Sequence, residues 1–62
     1  NREELIVKSD SILLQLHWNK DKGRDFLINN FNLSSRQELK EDQLLRFINL
    51  LENELKKQKL KY

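Results

Sequence analysis

Residues 41–59 read EDQLLRFINLLENELKKQK, and this stretch decides the fold. Its apolar residues recur at helical spacing and form a stripe that consists of Leu44, Ile48, Leu51 and Leu55, widened by Leu45 and Phe47. Acidic residues open the stretch and lysines close it, which complements the dipole of an α-helix. The pattern predicts a long helix from Glu41 to Lys59 with one buried face.

A second amphipathic helix is predicted over residues 2–17. On a helical wheel, one face of this segment collects Leu5, Ile6, Ile12, Leu13 and Leu16. Ser9 lies at the centre of that face, where a small side chain allows another helix to approach closely. Val7 and Leu14 fall on the opposite side, away from the predicted core.

A further helix is predicted over residues 20–30, with Asn19 as its N-cap. Gly23 lies inside this helix, where a glycine is about 1 kcal/mol less favourable than an alanine. We expect close packing against a neighbouring helix, or against the ring of Trp18, to offset that cost.

The segment 35–39 is predicted to form one short turn. Ser35 and Glu38 have the spacing of a capping box, and Leu39 follows as a buried plug. Proline is absent and glycine occurs once, which favours helices throughout. The sequence therefore predicts an all-α fold: a small three-helix bundle, residues 1–62, with a short capped turn between helices 2 and 3. Because the chain begins with Asn1 rather than methionine, we expect it to be a piece of a longer protein.

Residues suited to catalysis or to metal binding are scarce. There is no cysteine, and His17 is the one histidine, placed at a predicted helix end. These residues provide neither an activated nucleophile nor a zinc ligand set. We therefore expect no enzyme activity, no metal, no cofactor and no small-molecule substrate. The longest apolar run, residues 12–14, is far too short to cross a membrane.

The positive charge is concentrated at the C-terminal end. The net charge is +2, but the last seven residues contain four lysines: Lys56, Lys57, Lys59 and Lys61. Residues 1–55 hold eight basic and ten acidic side chains, so most of the chain is mildly acidic. The lysines either complement the dipole of the last helix or contact an anionic surface such as nucleic acid.

Several residues keep a joint spacing that is similar to that of a known domain. The spacing is carried by Leu16 and Trp18, by Gly23, Arg24, Phe26 and Leu27, by Phe31, by Ser35, Arg36, Gln37 and Leu39, and by Gln43, Leu44, Leu45 and Phe47. It resembles a short helical domain of cyanobacterial proteins of unknown function, and more loosely an accessory module of phage proteins. The resemblance implies a small helical unit in a cytoplasmic setting, and it implies no activity.

One segment departs from the pattern of that domain. Where the domain has Tyr-Gly-Lys-Arg-Ser-Arg, residues 31–36 read FNLSSR, without the glycine and two of the basic residues. The loss weakens any inference that this loop binds DNA. Asn32 can still adopt the left-handed backbone conformation that a glycine would favour.

Two surfaces are candidates for binding. A bundle of three helices cannot bury every apolar residue, and those left over form the candidate protein interface: Val7, Leu14, Phe47 and Leu50. The partner would be another protein or a second copy of the chain.

The alternative is an accessory nucleic-acid-binding domain. Its candidate edge combines one aromatic residue with basic ones: Trp18, Lys22, Arg24, Arg36 and Lys40. Acidic residues are interleaved with these bases, whereas phosphate binding normally needs clustered positive charge. We therefore expect a protein interaction module in preference to a nucleic-acid-binding one.

Overall fold

Three α-helices and one short 3-10 turn make up the computed structural model, which describes residues 1–60. The helices are α1 (Arg2–Leu16), α2 (Lys20–Phe31) and α3 (Glu41–Lys59), and the 3-10 turn spans Arg36–Glu38. No strand occurs within these sixty residues, so the predicted all-α three-helix bundle is confirmed. Lys61, which belongs to the predicted lysine cluster, lies outside the described residues.

Short polar residues set the ends of the first two helices. His17 takes the left-handed conformation, with φ 62°, and its backbone N–H donates to the carbonyl oxygens of the last turn of α1. Asn32 ends α2 in the same way, with φ 59°, as expected from its tolerance of this conformation. Asn19 is the N-cap of α2, as predicted, because its Oδ1 accepts the backbone N–H of Lys22 at 2.8 Å.

The 3-10 turn is capped differently from the prediction. The Ser35 hydroxyl accepts the backbone N–H of Gln37 at 3.3 Å and donates to Oε1 of the same residue at 2.7 Å. The partner of Ser35 is thus Gln37 and not Glu38, because a 3-10 turn brings residue i+2 within reach. Leu39 follows the turn and is buried, as predicted.

The two long helices run parallel, side by side. The backbone nitrogen of Asn1 lies 3.8 Å from a carboxylate oxygen of Glu41, at the start of α3. At the other end, Gln58 Nε2 donates to the carbonyl oxygen of Leu16 at 3.2 Å. Since α2 joins these helices, it runs antiparallel to both and packs its aromatic side chains against α3.

The core lies between the three helices. Its members are all aliphatic or aromatic and nearly free of solvent: Ile12, Leu16, Leu27, Leu39, Leu44, Phe47, Ile48 and Leu51. Ser9 is 0% exposed at the centre of the inner face of α1, as its position on the helical wheel predicts, and its hydroxyl contacts Arg36 of the 3-10 turn. Every buried side-chain nitrogen or oxygen of the described residues has a hydrogen-bond partner.

The two residues predicted to widen the α3 stripe differ in their exposure. Phe47 is 1% exposed, and its ring centroid lies 6.0 Å from that of Phe26 and 6.1 Å from that of Phe31. Both of those rings come from α2, so α2 covers this edge of the stripe completely. Leu45, on the other edge, is 50% exposed because no helix covers it there.

The predicted reason for Gly23 is wrong. A Cβ built on Gly23 would meet a single neighbouring side-chain atom, Leu13 Cδ2, at 4.0 Å, which is ordinary van der Waals contact. Close packing against a helix or against the ring of Trp18 therefore does not require a glycine at this position. Its backbone is ordinary helix, so conformation does not require a glycine either.

Replacing Gly23 with alanine is expected to stabilise the domain. The methyl group has room, and alanine is about 1 kcal/mol more favourable than glycine inside a helix. For a domain of this size the midpoint of thermal unfolding should rise by roughly 4–8 °C. Circular dichroism of both proteins measures this midpoint. A lower midpoint for the alanine variant would mean that the space beside Gly23 is tighter than the 4.0 Å contact implies.

Candidate functional site

The outer face of α1 carries two exposed aliphatic side chains. Val7 is 65% exposed and Leu14 is 76% exposed, and both point away from α2 and α3. They are separated by two helical turns, about 10 Å along the axis. Between them lie the exposed polar residues Asp10 and Ser11. We call this surface, made of Val7, Asp10, Ser11 and Leu14, the outer face of α1.

The other two residues of the candidate interface do not join this face. Phe47 is a core residue, so its prediction as an interface residue is wrong. The helical wheel placed it at the edge of the stripe, and the wheel could not reveal that α2 covers that edge. Leu50 is half-buried on α3, and the outer face of α1 is turned away from that helix.

A second concave surface lies between α2 and the 3-10 turn. It is open to solvent and has a volume of about 420 Å³, within the range of roughly 300–1,000 Å³ typical of ligand pockets. Its rim is charged and consists of Lys20, Arg24 and Arg36. Its floor is largely apolar and consists of Leu13, Trp18, Gly23, Leu27 and Phe47. We call this surface the Gly23 groove, because Gly23, which has no side chain, forms part of its floor.

The groove brings together three of the five residues proposed as a nucleic-acid edge. Trp18, Arg24 and Arg36 line it. Lys22 lies outside, with its Nζ 5.1 Å from the centroid of the Trp18 ring. Lys40 is an exposed residue just before α3 and is not part of the lining. The predicted edge is therefore divided between separate places on the surface.

Trp18 is occupied on two sides by its own chain. The ammonium group of Lys22 lies over the ring, in the arrangement of a cation–π interaction. The ring of Phe26 packs against it as well, at 5.1 Å between centroids. Trp18 is consequently half-buried, and little of its ring is free to stack on a ligand.

Arg36 makes long-range contacts that the sequence pattern did not indicate. Its Nη1 pairs with a carboxylate oxygen of Asp10, donates to the Ser9 hydroxyl at 2.8 Å, and lies 3.5 Å from the carbonyl oxygen of Ile6. The Ser9 hydroxyl in turn donates to the same carbonyl oxygen at 2.7 Å. The charge of Arg36 is therefore compensated within the chain, and this contact holds the 3-10 turn against α1.

Lys20 and Arg24 have no such partner. Neither forms an ion pair with any of residues 1–60. They are one helical turn apart on α2, so their side chains lie next to each other on the rim of the groove. These two residues supply the uncompensated positive charge of the groove.

The described residues contain few other groups that could bind a metal ion or take part in catalysis. No group of three histidine, cysteine, aspartate or glutamate side chains among residues 1–60 is arranged to hold a metal ion. His17 is exposed at the end of α1, where it serves as the helix cap. In the same part of the chain, no helix is long and apolar enough to cross a membrane.

Comparison with known proteins gives one relative and no fold match. No protein-family model matches the chain, and no solved structure matches it. An uncharacterised protein of Synechocystis sp., slr1353, is 37% identical over 51 residues, which is 82% of this chain. The chain spans about 18% of the length of that relative. The predicted resemblance to cyanobacterial proteins of unknown function is thereby confirmed.

Proposed function

We propose that this chain is a non-enzymatic interaction module that pairs with a second copy of itself through the outer face of α1. The proposal is carried by the exposure of Val7 and Leu14. The core is completed without them, so neither side chain has a role inside the bundle. We also propose a cytoplasmic setting, which rests on the resemblance to the cyanobacterial domain.

The spacing of Val7 and Leu14 favours a symmetric pair. In most homodimers a two-fold axis makes the same patch face itself. If two α1 helices pack antiparallel around an axis midway between residues 7 and 14, Val7 of each copy lies opposite Leu14 of the other. The same aliphatic contact is thus made twice, and the helix dipoles oppose each other favourably.

Association through this face should be weak. Stable complexes bury about 800 Å² on each partner, and two aliphatic side chains supply only part of that area. The measurement must therefore extend to high protein concentration.

Replacing Leu14 with aspartate is expected to make the protein strictly monomeric. The change puts a charge where the pair would exclude water, and Val7→Asp should have the same effect. Sedimentation equilibrium over a series of concentrations measures the average mass: it should rise for the unmodified chain and stay at the monomer value for both variants. Leu45→Asp is the matched control, since Leu45 is also exposed but lies on α3. An unmodified chain that is monomeric at every concentration would contradict the proposal.

Nucleic-acid binding is the second candidate, and the basic rim of the Gly23 groove is what favours it. Two contacts weigh against it. Trp18 is covered by Lys22 and Phe26, whereas binding of single strands relies on free aromatic faces. Arg36 is paired with Asp10, which removes its charge from phosphate binding.

A further inference from the structure

The Gly23 groove is a second surface, distinct from the outer face of α1, and the proposed pairing of two copies does not use it. Glycine is unfavourable inside a helix, yet neither packing nor backbone conformation requires it at position 23. Its one structural consequence is an open floor between Leu13 and the rim of the groove. An open space of this kind can receive a side chain of a binding partner.

We propose that the Gly23 groove docks an acidic peptide segment of a partner protein, with one apolar side chain over Gly23 and flanking carboxylates at Lys20 and Arg24. The apolar floor provides the seat for the side chain, because the partly buried Leu13 faces it and the buried Leu27 and Phe47 lie beneath it. Its volume of about 420 Å³ is large enough for more than one side chain.

Charge complementarity selects an acidic segment. Lys20 and Arg24 lie side by side on the rim, and neither has a carboxylate partner among residues 1–60. The third ionisable residue of the lining, Arg36, is already paired with Asp10, and no acidic residue lines the groove. Ser34 lines the same cavity, and it offers a hydroxyl group for the backbone of an extended peptide.

A peptide fits these observations better than a nucleic acid does. Stacking of a base needs an accessible aromatic face, and Trp18 is already packed by Lys22 and Phe26. A strand of phosphates would also pass Asp21 and Asp25, which are exposed on the same helix as the two basic residues. A short segment with a few carboxylates can end before it meets them.

The chain contains one tryptophan and one glycine, and both lie in the groove. The Trp18 indole N–H and the Gly23 amide are therefore unambiguous reporters in a two-dimensional ¹⁵N–¹H spectrum. The probe is an equimolar pool of capped pentapeptides, Glu-Asp-X-Asp-Glu, in which X is leucine, isoleucine, valine, phenylalanine or tryptophan. Pools with X as glycine, or with lysine in place of each acid, serve as peptide controls. A single-stranded oligothymidylate tests the nucleic-acid alternative.

We expect the acidic pool to move both reporter signals at low salt, and the glycine and lysine pools to leave them in place. Lys20→Glu combined with Arg24→Glu should weaken binding at least about tenfold, because it reverses the charge of the rim. The matched control, Lys56→Glu combined with Lys59→Glu, makes the same charge change on α3 and should bind normally. Gly23→Leu fills the floor with a good helix former and should abolish binding while the circular dichroism spectrum stays helical.

Three results would overturn the proposal. The first is that the acidic pool moves neither reporter. The second is that the lysine pool or the oligothymidylate moves them as much as the acidic pool does. The third is that the double variant at Lys20 and Arg24, which changes only exposed positions and so needs no repacking, binds as tightly as the unmodified chain.

Discussion

Phe47→Ala is expected to unfold most of the domain at room temperature. Phe47 is buried between α2 and α3, and its ring packs against those of Phe26 and Phe31. Truncation of a buried phenylalanine costs about 3–5 kcal/mol, and a domain of this length has only a few kcal/mol of net stability. Circular dichroism at 222 nm and urea titration should show a large loss of helix.

The matched control for this substitution is Leu45→Ala. Leu45 lies on the same helix two residues away, and half of its surface is exposed. We expect its removal to change the free energy of unfolding by about 1 kcal/mol or less. If Phe47→Ala lowered the free energy of unfolding no more than Leu45→Ala does, Phe47 would be a surface residue. It would then again be a candidate for the protein interface.

Ser9→Leu is expected to have the second largest effect. Ser9 is fully buried, and its hydroxyl lies 2.8 Å from Nη1 of Arg36. A leucine has no space there, so overpacking should cost roughly 1–3 kcal/mol. Displacing the arginine from the serine hydroxyl and from Asp10 should add roughly another 1–3 kcal/mol. Urea titration measures the sum, and we expect the chain to be largely unfolded without denaturant.

Two controls separate the causes of this effect. Ser9→Ala removes the hydroxyl without adding bulk, so it should cost only the hydrogen-bond part, about 1 kcal/mol. Ser11→Leu places the same bulk on the exposed outer face of α1 and should leave the free energy of unfolding nearly unchanged. Equal stability of the Ser9→Leu and Ser11→Leu proteins would contradict the close contact at Ser9.

Local signals were enough to predict the helices. The stripe of α3 is regular, Asn19 is a strong N-cap, and a polar residue with positive φ ends each of the first two helices. These features depend on residues within a few positions of one another. For that reason the α1 end at Leu16 and the α2 end at Phe31 differ from the predicted ends by one residue only.

Contacts between distant residues were not predictable in this way. The pairing of Arg36 with Asp10 spans 26 positions, and nothing in the local pattern of either residue indicates it. A helical wheel places Phe47 at the edge of the α3 stripe, and it does not show that α2 covers this edge. Gly23 was explained by packing because glycines inside helices often have that reason, whereas here the space beside it is open.

The candidate sites were predicted in part. Val7 and Leu14 were identified from the wheel, because a residue opposite the core face of a surface helix is exposed in any compact arrangement. The Gly23 groove was not predicted as a cavity, although Trp18, Arg24 and Arg36 belong to the predicted nucleic-acid edge. Its shape depends on where the 3-10 turn packs against α1, and that position is held by the contacts of Arg36 with α1 and of Arg2 with the backbone of the turn.

The most direct test of the proposed pairing is a concentration series of ¹⁵N–¹H spectra of the unmodified chain. The proposal predicts that the amide signals of Val7, Ser11 and Leu14 move progressively as the concentration rises, while the Gly23 amide stays in place. The Leu14→Asp protein should show no such movement at any concentration. Signals of the outer face of α1 that do not move at the highest concentration, or movement confined to the Gly23 groove, would contradict the proposed pairing.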